Sequence, residues 1–148
     1  MARRVFFSFH YDRDIWRANV VRKSWVTQDR EAAGFFDASL WEEAKKKGDA
    51  AIKKMIDDAL IGTSVTAVLI GAQTAGRTYV KYEIDKSIEQ RKGLFGVRIH
   101  KIEDTSGNTD SWGANPLPTS YTVYDWKDDN GYANFGSWVE KAARAAGR

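Results

Sequence analysis

Two groups of residues in this sequence have types and positions suited to chemistry. The first is Ser8-Phe9-His10-Tyr11, which brings a hydroxyl, an imidazole and a phenol to the end of the apolar run Val5-Phe6-Phe7. The second is Glu83, in a segment of helical period that follows another apolar run, TSVTAVLI at 63–70, and a small-residue loop at 71–76. A short run apolar on both faces is the mark of a central strand in a covered parallel sheet. Ligands of such sheets bind beyond the carboxyl ends of the strands, where the strand order reverses. Residues 8–11 therefore form one lip of a candidate crevice. Residues 70–74, with Gln73 and Thr74, form the other.

Glu83 earns notice by position. At ~100° per residue, Val80, Ile84 and Ile88 centre the buried stripe of its helix, and Glu83 falls on the border beside Val80 and Ser87. Asp85 and Glu89 point more nearly outward. A border carboxylate near a helix start reaches a crevice mouth and is partly desolvated. An acid there is also favoured by the helix dipole alone, and the residue pattern leaves both explanations open. His10 is the better placed of the two histidines to act as a base. His100 ends another strand and reads as structural, and the two lack metal-ligand spacing, so no metal site is expected.

Several chemistries are excluded. No phosphate loop of the Gly-x-x-x-x-Gly-Lys type, no Gly-x-Gly-x-x-Gly and no Gly-x-Ser-x-Gly elbow occurs. Strand one lacks the clustered acids of a phosphoacceptor domain and the hydroxyl-rich loop of a flavodoxin. The absence of cysteine removes disulfides, thiolate metal sites and a cysteine nucleophile. A net charge of +3 on 148 residues, with both signs interspersed, carries no nucleic-acid footprint. No apolar segment approaches the ~20 residues of a membrane span, and the basic start does not lead into a signal peptide. The expectation is a cytoplasmic protein of one domain, residues 1–148, with no membrane partner.

The elements that must position these residues follow from periodicity. Asp12 or Asp14 has the look of a helix N-cap, and residues 14–26 carry Ile15, Ala18, Val21 and Trp25 at helical spacing. Gly34-Phe35-Phe36-Asp37 reads as a short edge strand, and 40–47 as a helical turn or loop. Gly48-Asp49 opens a helix with Ile52, Met55, Ile56, Ala59 and Leu60 inward, stopped by Gly62. Residues 63–70 form a strand. Thr78 caps a helix running to about Lys92 and ended by Gly93, and a strand spans 94–100. Residues 101–120 lack periodicity, a length of loop that is often functional. A strand at 121–126 and a helix at 132–146 close the chain. The alternation predicts an α/β, flavodoxin-like parallel sheet of order 2-1-3-4-5, with helices on both faces.

Three ordered segments, VFFSFHYDRDIWRANVVRKSW, TSVTAVLIGAQTAGRTYVKYEIDKSIEQRKGLFGVRIHKIED and GNTDSWGANPLP, resemble the TIR-like proteins of bacterial Thoeris anti-phage systems, the ThsB family. The resemblance runs from about Arg4 to Pro118. It implies a TIR-type fold and an enzyme that cleaves NAD+ at the nicotinamide–ribose bond. The product is a cyclic ADP-ribose isomer that activates a separate effector protein. NAD+ enters as substrate, and no cofactor is implied. The family's catalytic glutamate lies in a Tyr-Glu-Ile motif, here Tyr82-Glu83-Ile84, so the resemblance gives Glu83 that role. It also makes Ser8, Phe9, His10, Tyr11, Gln73 and Thr74 candidates for contacting NAD+. Asp37 joins them because it precedes the segment where TIR proteins carry a mobile binding loop. A phage-derived trigger and self-association are further partners that the resemblance admits. The competing expectation is a non-catalytic TIR module that oligomerises or binds a phage component, since both need the same scaffold.

Overall fold

The computed structural model describes residues 3–26, 31–36 and 38–148. The first strand is an inner strand of the sheet. Strand β1 (Val5–Ser8) leads to helix α1 (Tyr11–Val26) and strand β2 (Ala32–Ala33). Helices α2 (Ala38–Lys47) and α3 (Asp49–Leu60) carry the chain back to β3 (Val65–Ile70). A 3-10 turn at Thr74–Gly76 precedes α4 (Thr78–Glu89) and β4 (Gly93–Arg98). The long segment 99–122 then reaches β5 (Val123–Asp125), and α5 (Gly131–Ala145) ends the fold. All four strand pairings are parallel, in the order β2-β1-β3-β4-β5. Among the described residues no helix is long and apolar enough to cross a membrane.

Strand alternation divides the core into two faces. Val5 and Phe7, Val65, Ala67 and Leu69, and Phe95 and Val97 pack against Ala18 and Val21 of α1 and Phe135, Trp138 and Val139 of α5. On the other face Phe6 meets Trp41, Ile52, Ile56 and Leu60 of α2 and α3, while Val68, Ile70 and Leu94 meet Val80 and Ile84 of α4. The order reverses after β2, because the chain leaves β1 in one direction and returns to its other side. Right-handed crossovers of opposite direction place α1 and α4 on opposite faces. The gap between the carboxyl ends of β1 and β3 is thereby left open to a ligand.

Four local expectations are corrected. Neither Asp12 nor Asp14 caps α1, which already begins at Tyr11; His10 does so, its Nδ1 accepting the Arg13 amide at 3.3 Å. The edge strand lies at Ala32–Ala33, not at Gly34–Asp37. Val5 and Phe6 pair with the two alanines, and Gly34 at φ 93° then breaks the extended line. Residues 40–47 belong to a full helix, α2. Helix α4 stops at Glu89, its first helical residue is Thr78 and its cap position is Arg77. Gly93 opens the next strand rather than ending the helix.

Gly34 is required twice over. Its φ is left-handed, and a Cβ there would lie 2.3 Å from the Phe7 carbonyl oxygen. Gly107 shares the sign of φ, +80°, but has nothing within 4 Å. We expect Gly107→Ala to cost about 1–2 kcal/mol. Gly34→Ala should cost roughly 3–5 kcal/mol, through backbone strain plus displacement of β1. In thermal unfolding that corresponds to about 2–4 °C per kcal/mol. Equal melting temperatures for the two variants would refute the close approach at Gly34.

Candidate active site

The buried stripe of α4 is Val80, Glu83, Ile84 and Ser87, spaced i, i+3, i+4, i+7. Glu83 is therefore in the stripe and not at its border, and Ile88, expected inward, is 39% exposed. The rotation follows from what the sheet offers beneath the helix. Thr66 on β3 shares a hydrogen bond with Ser87 at 2.7 Å, and the Ser87 hydroxyl donates to the Glu83 carbonyl at 2.7 Å. Ser8, the last residue of β1, is fully buried and donates its hydroxyl to Glu83 Oε1 at 2.7 Å. Polar groups on two strands thus draw the polar edge of α4 inward.

Glu83 itself is 6% exposed. Burial pushes its pKa up to about 8, opposed only by the Ser8 hydrogen bond. Ionising it in place costs roughly 5 kcal/mol relative to water. No cation pairs with it among the described residues. A carboxyl group so placed is neutral at pH 7 until charge or water approaches, which is the behaviour of groups poised for proton or cation chemistry.

A narrow cavity of about 20 Å³ opens beside Glu83, with space for about one water molecule. Its walls are Phe9, just after β1, Tyr11 at the start of α1, Phe36 after β2, Trp41 of α2, and Arg77, Tyr79 and Val80 from the start of α4. Phe36 and Trp41 stack at 5.8 Å, and Tyr11 lies against Trp41 at 4.8 Å. The Tyr11 hydroxyl donates to the Phe36 carbonyl, tying the start of α1 to the segment after β2. The buried Trp41 indole N–H has no partner among the described residues. Larger hollows exist, one of about 470 Å³ against Gly93, Tyr124 and Trp138. That one lies at the amino end of β4 and has no carboxylate on its walls, so it lacks the chemistry found here.

The other expected residues are placed as follows. His10 is 8% exposed and engaged as the α1 cap; burial, then the Arg77 charge, lowers its pKa, so it stays neutral near pH 7. It does not line the cavity. Thr74 is fully buried, its hydroxyl accepting the Gly71 amide at 2.7 Å and so holding the loop after β3. Gln73 is exposed, and neither it nor Thr74 reaches the cavity walls. Asp37 lies outside the described residues. Sequence reasoning missed Arg77, Tyr79, Phe36 and Trp41. Arg77 had a usable signal: it is a cation directly before a helix that begins at the crevice.

Comparison with known proteins places the chain in a family. A family profile described as "Thoeris protein ThsB, TIR-like domain" matches residues 6–104. A Bacillus cereus (strain MSX-D12) protein named "Putative cyclic ADP-D-ribose synthase ThsB1" is 41% identical over 191 aligned residues, covering 94% of this chain and all of the relative.

The raised pKa of Glu83 makes stability depend on pH. The unfolded chain releases this proton near 4.5 and the folded chain near 8, so its contribution is present at low pH and is lost as pH rises through that window. We expect Glu83→Gln to match the wild type at pH 5 in urea unfolding and to exceed it by roughly 3–5 kcal/mol at pH 9. Parallel curves across this range would show that the carboxyl is not held neutral.

Proposed function

The chain belongs to the ThsB TIR-like family of Thoeris defence proteins, and from that membership we propose that it converts NAD+ into a cyclic ADP-ribose isomer at Glu83. The observation that carries the reading is the pairing of Glu83 with Ser8 at the junction of β1 and β3. This is the one buried carboxyl group bordering an aromatic cavity among the described residues.

The nicotinamide riboside of NAD+ enters between Tyr11 and Trp41. Its pyridinium charge favours the ionised form of Glu83, offsetting the desolvation that keeps the empty site neutral. The carboxylate, steadied by Ser8, then stabilises the positive charge that grows on the ribose as the glycosidic bond breaks. Nicotinamide departs as a neutral molecule, so no general acid is needed. A ring nitrogen or hydroxyl of the same molecule attacks the anomeric carbon and closes the ring. If a hydroxyl attacks, Glu83 takes its proton, a task suited to a group titrating near 8. The aromatic walls exclude the water that would otherwise hydrolyse the cation. Arg77, on the same wall and without a carboxylate partner among the described residues, faces the pyrophosphate.

A cavity of about 20 Å³ does not admit a dinucleotide. Turnover therefore requires the Tyr11–Phe36 tie to open, which accounts for an enzyme that stays silent until a phage-derived trigger acts. The product leaves to activate a separate effector protein.

The test is made in cells. Cultures expressing the wild type, infected with a panel of phages, should accumulate a cyclic ADP-ribose isomer detectable by mass spectrometry. Glu83→Gln, which keeps shape and removes charge, should lower the product at least ~100-fold, the scale expected when a group stabilising transition-state charge is lost. Undiminished product and protection in that variant would overturn the assignment.

A further inference from the structure

Alternation along the strands puts a second set of groups on the Glu83 side of the sheet. Leu94 of β4 packs with Val80 and Ile84 of α4, whereas Phe95 and Val97 face α1 and α5. Arg98, two positions beyond Gly96, therefore projects to the same face as Leu94, Ile70 and Ser8. Register aligns Ser8 with Val68, and Ile70 with Arg98. With strands ~4.8 Å apart and ~3.3 Å per residue, the Arg98 Cα stands roughly 12 Å from that of Ser8 along the same rim.

At Arg98 the rim carries an exposed aromatic ring. The guanidinium lies 4.3 Å from the centroid of Trp112, whose residue is 64% exposed. The segment bearing Trp112 is held on both sides. Before it, the Asp110 carboxylate takes two bonds from Arg13, at 2.8 and 3.0 Å, and the Asp110 amide donates to the His100 carbonyl at 2.8 Å. After it, the Gly113 carbonyl accepts from Arg98 at 2.6 Å. Gly113 sits so close to β3 that a Cβ would fall 2.0 Å from the Gly71 carbonyl oxygen. Leu117 then enters the core beside Val80 and Ile84. The ring is exposed without being loose: a cation backs one face and the other is open.

From this geometry we infer that Trp112 and Arg98 form the platform for the adenine nucleotide half of NAD+, with the base stacked on the open face of Trp112. The inference rests on the function proposed above, which puts the nicotinamide end at Glu83. An aromatic ring backed by a guanidinium is a stacking surface for a base of any sequence context, and Arg98 brings positive charge toward the attached phosphate. The span along the rim suits a ligand with a ring at each end and a charged middle. The platform lies in the open. It binds the adenylate half while the cavity at Glu83 is closed, and so selects dinucleotide over nicotinamide mononucleotide.

The probe is 5′-AMP, titrated into the full chain by calorimetry and followed by the indole N–H resonances. AMP should bind the wild type and Glu83→Gln equally and shift the Trp112 indole signal first. Ribose 5-phosphate, which lacks the base, should bind at least ~5-fold more weakly. Trp112→Ala should lose at least ~5-fold in AMP affinity, and Trp112→Phe should retain most of it. No AMP binding to the wild type, a shift confined to other indoles, or unchanged affinity in Trp112→Ala would overturn the platform. AMP binding needs no turnover, so these outcomes are independent of whether Glu83 proves catalytic. The indole shift is read on the wild type and does not depend on how the variants fold.

Discussion

One carboxyl group held inside the core against a single hydroxyl sets the terms for the rest of this molecule. Glu83 occupies a position of α4 that packing would fill with an apolar residue. Leaving it there costs free energy whenever it ionises, because among the described residues its only hydrogen-bonding partner is Ser8. The fold answers with hydroxyls where it would otherwise have methyl groups: Ser8 closing β1, Thr66 on β3 and Ser87 one turn along α4. Such departures from a fully apolar core are expected where function, rather than stability, decides the residue.

The same constraint explains the aromatic wall. On the function proposed above, the ligand sets the charge of this carboxyl, which must be kept from bulk water beforehand. Phe9, Tyr11, Phe36 and Trp41 do that, in mutual contact and with the hydroxyl of Tyr11 fastened to the Phe36 backbone. This use of Phe36 is why the most strand-like residues after α1 do not form the strand. Gly34 turns the chain so that two small alanines complete the ladder, Phe35 packs on Phe7 and Phe9, and Phe36 is left to line the cavity.

At the far end of the rim the long segment after β4 is docked by charge. Arg13 and Arg17 of α1 both approach Asp110, and the Arg17 Nε donates to the Ile102 carbonyl at 3.1 Å. Asp14, fully buried without a hydrogen-bond partner among the described residues, has its pKa raised by burial and eased by Arg17 at 3.8 Å. Arg17 thus has a buried structural task, although its charge and helical position suggest a solvated face. A segment without secondary structure becomes a fixed part of the fold through such contacts.

Much of this was legible from residues alone. Apolar runs and helical periods located all of the helices but α2, and every strand but β2. The reversal of order implied by their alternation led to the β1–β3 junction and to Glu83. These signals are local: a strand or helix buries a face, and its period is written into a few consecutive residues. What the periods could not supply was orientation and partnership. The angle at which α4 settles on the sheet, turning Glu83 inward and Ile88 outward, depends on hydroxyls of β1 and β3 distant in the chain. The commitment of His10 to a helix end and of Thr74 to a loop depends on which backbone amides come near. The meeting of Tyr11 with Phe36, or of Arg98 with Trp112, exists only once the strands are in register. Hydrogen bonds and ring contacts act over a few ångströms in space, and distance in space is decided by the folded chain, not by neighbours in sequence.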